Sequence, residues 1–236
     1  MDPVLDGADD RARLRRLDDD LWVVDDPFSV FGLAIGTRMT VIRLTDGGLF
    51  LHSPSPLSSE LCAELEALGP VKCIVAPNKI HHLYVSDYAA AFPDADRYAA
   101  PGLEKKRSNL DFHYVLEPAA PAAWSGQIEQ VCVQGCDYIS EVVFFHPASR
   151  TLLLTDMAFN VQHTDSVWTK VWLKLNGAYQ KFGPSRMVRA LIRDRAAARH
   201  SLDEILRWDF DRVIVTHGIV LQRSGKRMVR AAFNWL

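Results

Sequence analysis

The sequence has no long apolar stretch and no strong excess of charge of one sign. No segment approaches the roughly 18 consecutive apolar residues that a membrane-spanning helix needs, and the polar first twenty residues lack the apolar core of a signal peptide. A formal net charge of −2 excludes a generally basic nucleic-acid-binding protein. We therefore expect a cytoplasmic protein that binds no nucleic acid, with residues 1–20 loosely ordered and residues 21–236 forming one domain.

Cysteine is also scarce, and four residues in a chain of 236 do not indicate a disulfide scaffold. Cys132 and Cys136 are four positions apart, which is not the spacing of paired-cysteine zinc or redox motifs. We expect reduced, mostly buried thiols.

Short apolar runs rich in β-branched residues alternate with helical patterns along the chain. Two runs around the Asp46-Gly47 turn predict a β-hairpin, and Ser58 can cap a helix that ends at Gly69. Further strands are predicted at residues 71–76, 112–116, 128–133, 141–145, 151–155 and 212–216, and further helices at 85–92 and, capped by Ser201, up to 208. This order predicts an α/β layered fold.

The segment 166–200 differs in character from the rest of the chain. Apolar residues between 168 and 175 recur at i, i+3, i+4 and i+7, which predicts a helix with one apolar face. Gly183-Pro184 separates it from a second helix that Ser185 can cap. The segment carries eight lysines and arginines and one acid, Asp194. We favour packing of the apolar face on the fold over two alternatives, a basic lid for an anionic substrate and docking on a membrane surface.

Three predicted strands lead to residues that bind metals or transfer protons. The strand that ends at residue 76 precedes His81 and His82, and two others run directly into Asp156 and His217. In α/β proteins, functional groups gather outside the carboxyl ends of the strands. These strand ends are therefore the candidate site.

The order of these motifs resembles the metallo-β-lactamase fold superfamily and, more closely, a bacterial branch of it without an assigned function. The resemblance rests on Arg38-Met39-Thr40, Gly69-Pro70-Val71, Ala76-Pro77-Asn78-Lys79-Ile80-His81-His82, residues 141–156, and Thr216-His217-Gly218. It implies a mixed α/β (α+β) fold, the four-layer αβ/βα sandwich, with its site at one edge of two sheets. The helical segment near 166–200 would be an insertion.

Active members of the superfamily bind two metal ions through a motif H-x-H-x-D-H after the second core strand, together with later residues. In this sequence Asn78 takes the first histidine position, Ile80 the second, His82 the aspartate position and Leu83 the third histidine position. A one-residue shift makes His81 and His82 replace the Asp-His pair instead. In either alignment one metal position lacks its full set of ligands.

The resemblance places the family's later histidine near Asp137, the bridging aspartate at Asp156 and the last histidine at His217. Together with His81 or His82, these residues imply one metal ion rather than two. Zinc is the first expectation from imidazole and carboxylate ligands, with iron and manganese as alternatives. A site that has lost its metal is the remaining alternative.

Three further residues are lesser candidates for the site. Asn78 is either a ligand or a turn and cap residue. His52 ends a strand where family members often have aspartate, so it could contact and orient a metal-binding residue without binding the metal itself. His146 lies at the tip of a predicted hairpin, which the alignment places away from the metal. We favour a structural role for all three.

The function implied by the resemblance is a metal-dependent hydrolase of a small-molecule ester, thioester or amide. A metal would lower the pKa of water to about 7, and His81 or His82 would position or transfer the proton. One alternative is a non-catalytic member that serves as a binding or interaction module. Another is a peripheral membrane protein docked through residues 168–175. Neither the substrate nor the oligomeric state follows from the sequence.

Overall fold

The structure, a computed structural model, describes residues 13–236. Its strands are β1 (Arg15–Asp18), β2 (Leu21–Asp26), β3 (Ser29–Val30), β4 (Leu33–Ala34), β5 (Thr37–Arg43), β6 (Leu49–His52), β7 (Val71–Ala76), β8 (Asp96–Ala99), β9 (Tyr114–Val115), β10 (Glu129–Cys132), β11 (Val142–His146), β12 (Thr151–Leu154) and β13 (Arg212–Val215). Its helices are α1 (Ser59–Leu68), α2 (Val85–Ala91), α3 (Leu103–Lys106), α4 (Val167–Leu175), α5 (Arg186–Leu191), α6 (Arg195–Ile205) and α7 (Gly225–Ala232).

The strands form two principal sheets. One sheet has the strand order β1-β2-β5-β6-β7-β8-β9, the other has the order β10-β11-β12-β13, and β3 and β4 form a separate hairpin. Strands β6 to β9 run parallel to one another, as do β12 and β13. Crossovers through α1 and α2 connect β6 to β7 and β7 to β8, which is how parallel neighbours are normally joined.

The two sheets pack face to face over a shared apolar core. Phe50 and Tyr98 of the larger sheet and Phe144 and Leu153 of the smaller sheet belong to this core. The Trp124 ring lies within it, with its centroid 4.9 Å from that of Phe50 and 4.6 Å from that of Tyr98. Ring edges therefore meet ring faces, which is the favoured arrangement of aromatic pairs.

Helices cover the outer faces of both sheets. Leu61 of α1 and Tyr88 of α2 pack on the larger sheet, while Leu173 of α4 and Leu202 of α6 pack on the smaller one. Successive residues of a strand point to opposite faces, so one strand contributes to both the inner and the outer core. The result is the four-layer αβ/βα sandwich, which confirms the fold expected from the resemblance.

Several local predictions are also confirmed. β5 and β6 form the antiparallel hairpin, β11 and β12 form another, and the Ser58 and Ser185 hydroxyls cap α1 and α5. All four cysteines are free, and three of them are buried.

Two local predictions differ from the structure. Ser201 does not begin a helix, because α6 starts earlier, where Asp194 accepts a hydrogen bond from the Ala197 N–H at 2.9 Å. The Ser201 hydroxyl lies inside α6 and accepts from the Gln134 N–H instead. In the segment expected to be loosely ordered, residues 15–18 form β1 and pair with β2, while residues 1–12 lie outside the described range.

The apolar face of α4 packs on the sandwich only in part. Trp172 lies against the outer core of the smaller sheet, as predicted, but the other three apolar residues of that face are exposed. Trp168, Val171 and Leu175 are 57%, 43% and 67% exposed, whereas Thr169 and Leu173 are fully buried. Leu173 inserts into the outer core, and the Thr169 hydroxyl accepts a hydrogen bond from the backbone of the β3–β4 hairpin. These two contacts set the rotation of the helix. None of the helices between residues 13 and 236 has both the length and the apolar character needed to cross a bilayer.

We predict that Trp124→Ala lowers the free energy of unfolding by about 3–5 kcal/mol, because it empties a fully buried position between the sheets. Urea unfolding followed by circular dichroism measures the change. Trp168→Ala is the matched control, and its effect should stay within about 0.5 kcal/mol because this ring is largely exposed. Equal effects in the two variants would contradict the placement of Trp124 in the inter-sheet core.

Candidate metal site

Three strand ends from the two sheets meet at one edge of the sandwich. His81 lies in the loop after β7 of the larger sheet, whereas Asp156 and His217 follow β12 and β13 of the smaller sheet. Parallel pairing of β12 with β13 brings their carboxyl ends side by side. One potential ligand atom of each residue lies within 4.8 Å of the others. The edge thus collects two imidazoles and one carboxylate.

The spacing of these side chains suits a metal ion. His81 Nε2 lies 3.3 Å from Asp156 Oδ2, and His217 Nε2 lies 3.5 Å from Asp156 Oδ1. Zinc–ligand bonds of about 2.0–2.2 Å at tetrahedral angles place neighbouring ligand atoms about 3.4 Å apart. Both distances are near that value, although they end on different oxygens of Asp156, and both exceed the length of a strong hydrogen bond. The residues therefore fit a divalent cation.

The other imidazole nitrogens are occupied in a way that leaves Nε2 available. His217 Nδ1 lies 2.7 Å from the Gly36 carbonyl oxygen, which can only accept, so Nδ1 donates its proton. His81 Nδ1 lies 2.9 Å from Ser53 Oγ, which can accept a proton from it in the same way. Contacts of this kind fix the tautomer and the orientation of metal-binding histidines. The His217 ring is also stacked on Phe159.

Ser53 reaches His81 through an unusual backbone conformation. Its φ of 56° lies in the left-handed region, which costs a residue with a side chain about 1–2 kcal/mol. Ser53 directly follows β6, is buried, and donates its N–H to the Val75 carbonyl at 3.0 Å. The turn that ends β6 therefore places the hydroxyl beside His81.

Glu141 holds the backbone that carries Asp156. Its carboxylate, almost fully buried, accepts hydrogen bonds from the N–H groups of Thr155 at 2.7 Å, Asp156 at 2.8 Å and Met157 at 2.9 Å. Burial raises the pKa of Glu141, and the charge of Asp156 adds to that increase, while the hydrogen bonds oppose it. Glu141 thus joins the start of β11 to the loop after β12.

Asn78 holds the loop that carries His81. Its Oδ1 accepts from the N–H groups of Ile80 at 2.8 Å and His81 at 2.7 Å. Its Nδ2 donates to Thr155 Oγ1 at 2.8 Å and to Asp156 Oδ2 at 2.6 Å. All four bonding positions of the amide are used. Asn78 therefore caps the loop and has no lone pair left for a metal.

Asp156 is the anionic centre of the site. Burial opposes its ionisation, but the charges and hydrogen bonds of His81 and His217 outweigh burial and hold the pKa of Asp156 far below its usual range. Burial likewise lowers the pKa of His81, but the Asp156 carboxylate outweighs it, so the pKa of His81 lies above its ordinary value. Without a cation, the Asp156 carboxylate therefore favours the protonated form of His81.

His82 and Asp137, both expected as ligands, lie outside this group. His82 Nδ1 is 3.2 Å from an Arg107 guanidinium nitrogen, and burial, with the charges of Arg107 and Lys106, lowers the pKa of His82 to about 4. Asp137 is exposed. The loop that Asn78 caps directs His81 rather than His82 toward Asp156. The candidate ligand set is therefore corrected to His81, Asp156 and His217.

The two remaining histidine candidates have different surroundings. His52 is buried near His81 and packs edge-on against Phe144, and burial together with the charge of His81 lowers the pKa of His52 to about 3. A neutral His52 therefore packs behind the site. His146 ends β11, at the opposite end of that strand from Glu141, and its Nδ1 lies 2.8 Å from Ser149 Oγ.

Sequence reasoning gave no role to Ser53, Gly36 or Glu141. For Glu141, an acid directly before a buried apolar strand was an available signal. Ser53 contributes through a left-handed φ, and Gly36 contributes through its backbone carbonyl. Neither feature can be recognised from the amino-acid sequence.

Comparison with known proteins gives both a family and a fold. The family described as "Domain of unknown function (DUF4336)" matches residues 18–172. The DIM-1 metallo-β-lactamase is 16% identical with a TM-score of 0.66, and the match covers 94% of this chain and 96% of that chain. A metallo-β-lactamase from Pontibacter korlensis is 13% identical with a TM-score of 0.65, covering 94% and 98%. One from Hirschia baltica is 11% identical with a TM-score of 0.64, covering 94% and 95%. No curated protein matches the sequence.

We predict that Glu141→Gln destabilises the protein by about 1–3 kcal/mol, because an amide nitrogen would replace a carboxylate oxygen facing a buried N–H. Thermal unfolding at neutral pH measures the effect. Glu129→Gln is the control, since Glu129 is exposed in the adjacent strand β10. A Glu141→Gln variant as stable as the Glu129→Gln variant would show that the loop after β12 does not depend on this carboxylate.

Proposed function

Because this chain belongs to the family described as "Domain of unknown function (DUF4336)" and has the metallo-β-lactamase fold, we propose that it is a hydrolase that uses one divalent metal ion. The observation that carries the proposal is the convergence of His81, Asp156 and His217 at the edge of the sandwich. The substrate class is a small molecule with an ester, thioester or amide bond.

The donor set favours zinc. Two imidazoles and one carboxylate form a three-residue set like those of catalytic zinc sites, which keep a fourth position for water or substrate. The same set also suits iron, and manganese accepts carboxylate and imidazole ligands. Zinc is preferred here because two imidazoles and one carboxylate are the donor set of known catalytic zinc sites.

A single ion is proposed because the residues for a second one are otherwise engaged. Asn78 uses every bonding position of its amide within the protein, and Ile80 is an exposed apolar residue. His82 lies against the Arg107 guanidinium, whose positive charge disfavours a nearby cation. These three residues occupy the positions that would complete a second ligand set.

A bound divalent ion would polarise a scissile carbonyl and lower the pKa of water to about 7. Gly36 and Ser53 would hold His217 and His81 with Nε2 directed at Asp156. His81 Nε2 would have to be free of a proton for the cation to bind, since metal ligands must be deprotonated. The pKa of about 4 makes His82 a poor proton donor at neutral pH, so we do not retain a proton-transfer role for it.

A non-catalytic protein of the same fold is the second candidate, and one observation favours it. Asp156 already lies 3.3 Å from His81 and 3.5 Å from His217 and accepts a hydrogen bond from Asn78 at 2.6 Å, so its carboxylate has polar partners without a cation. In that case the edge of the sandwich would bind a ligand or a partner. Metal binding separates the two candidates.

We predict that purified protein incubated with zinc binds about one ion per chain, because three ligands surround one position. Asp156→Asn and His217→Ala should each remove that ion while the protein remains folded, as shown by elemental analysis and circular dichroism. His146→Ala is the control and should retain the metal, since His146 lies at the far end of β11. No metal in the wild-type protein after incubation with zinc, iron or manganese would support the non-catalytic alternative.

We also predict that Ser53→Ala weakens metal affinity by about 10–100-fold, because the Ser53 hydroxyl holds the His81 ring with Nε2 directed at Asp156. Competition with a chromophoric chelator measures the affinity. Ser149→Ala removes an equivalent hydroxyl beside His146 and should leave the affinity unchanged.

Ser53→Gly separates the hydrogen bond from the backbone strain. Glycine accepts the left-handed conformation, so this variant should lose affinity as Ser53→Ala does but unfold at a higher temperature than Ser53→Ala. Wild-type affinity in both Ser53 variants would show that the hydroxyl does not orient His81.

A further inference from the structure

An exposed apolar surface lies on α4 and on the adjoining β3–β4 hairpin. It consists of Phe31, Val167, Trp168, Val171 and Leu175, and we call it the α4–hairpin face. The candidate metal site uses none of these residues. Large apolar side chains grouped on a surface mark a site of interaction with another molecule or a membrane.

The hairpin and the helix form one continuous surface. The Ala34 N–H donates to Thr169 Oγ1 at 2.9 Å. A Cβ atom placed on Gly32 would come within 3.7 Å of the Trp168 ring. Gly32 follows Phe31 in the hairpin turn, so Phe31 and Trp168 are held near each other. The apolar side chains of the helix and the hairpin therefore form one exposed surface.

Phe31 has a positive φ at the hairpin tip, which is a backbone conformation that phenylalanine rarely adopts. Its φ is 50° and that of Gly32 is 76°, the positive values of a two-residue hairpin turn, which favours Asn-Gly or Gly-Gly. A bulky residue in this region is rare. The side chain is 94% exposed, so its position is not compensated by burial within this chain. A contact outside the chain would account for an aromatic residue at this position.

The α4–hairpin face has a basic border. The Lys170 and Lys174 ammonium groups lie 5.7 and 5.8 Å from the centroid of the Tyr179 ring, and the Arg186 guanidinium donates to the Leu175 carbonyl at 3.2 Å. Residues 166–193 contain no acidic residue. Fixed positive charges therefore flank the exposed apolar side chains.

We propose that the α4–hairpin face docks on the surface of an anionic lipid bilayer, with Phe31 and Trp168 inserted among the headgroups and Lys170 and Lys174 against lipid phosphates. Interfacial segments combine aromatic and aliphatic side chains with flanking lysines in this way. Phe31, the most exposed of these apolar residues, lies at the tip of a hairpin, which suits insertion into a lipid surface rather than a flat protein contact. Basic residues near an anionic surface add to the binding.

The test is co-sedimentation of the full chain with vesicles at low salt. One set of vesicles contains phosphatidylcholine alone, and the other contains phosphatidylcholine mixed with phosphatidylglycerol. We expect binding to the anionic vesicles, weaker binding as salt is raised, and little binding to phosphatidylcholine alone.

Two variants separate the apolar and the electrostatic contributions. Phe31→Asn with Trp168→Gln should weaken binding by at least about tenfold, and asparagine suits the turn, so loss of folding is not expected. Lys170→Gln with Lys174→Gln should weaken binding by about thirtyfold. Thermal unfolding checks that both variants remain folded.

Matched controls remove similar groups elsewhere. Tyr138→Gln removes an exposed aromatic ring outside the face. Arg16→Gln with Lys72→Gln removes two positive charges at the start of β1 and β7, and both residues are held by nearby aspartates. Both controls should bind anionic vesicles as the wild-type protein does.

Three results would overturn the proposal. The first is no sedimentation of the wild-type chain with anionic vesicles at low salt. The second is undiminished binding by the Phe31→Asn, Trp168→Gln variant, since charge alone would then explain the binding. The third is a wild-type dimer that this variant converts to a monomer, with no vesicle binding by either, which would assign the face to a second copy of the chain.

Discussion

Two buried carboxylates at the end of β12 determine the arrangement of the candidate site. Glu141 uses both oxygens to hold three backbone N–H groups, and one of these belongs to Asp156 itself. Asp156 remains ionised because His81 and His217 lie on either side of it. Buried charges are tolerated only where hydrogen bonds and opposite charges offset the loss of water. Asn78, which binds both the Asp156 carboxylate and the His81 loop, completes that compensation.

The same anionic centre is suited to a proton on His81 or to a divalent cation. In the first case the cluster is a structural ion pair, and in the second the same side chains are metal ligands. The hydrolase and the non-catalytic protein therefore use the same arrangement of side chains, with a metal ion bound in the first and none in the second. Which one applies depends on the relative affinities for proton and metal, and Ser53 and Gly36 influence both by holding the rings.

The sequence predicted the fold and the convergence of strand ends, because β-branched runs that end in polar residues mark both. It did not decide between His81 and His82. A shift of one residue exchanges the side chain that faces the site, and the hydrogen bonds of Asn78 make that choice. The rotation of α4 was unpredictable for a related reason. Periodicity identifies an apolar face, but the contact between Thr169 and Ala34 orients the helix and leaves all of that face except Trp172 in solvent.

The α4–hairpin face and the candidate metal site share one short segment of chain. The hairpin ends at Ala34, and two residues later the carbonyl of Gly36 accepts a hydrogen bond from His217 Nδ1. The Ile35 and Gly36 N–H groups both donate to the Phe28 carbonyl, which closes the base of the hairpin. A contact that restrains the hairpin therefore also restrains the group that sets the tautomer of His217. The exposed hairpin therefore helps to position His217 through Gly36, although Phe31 at its tip does not contact the candidate metal site.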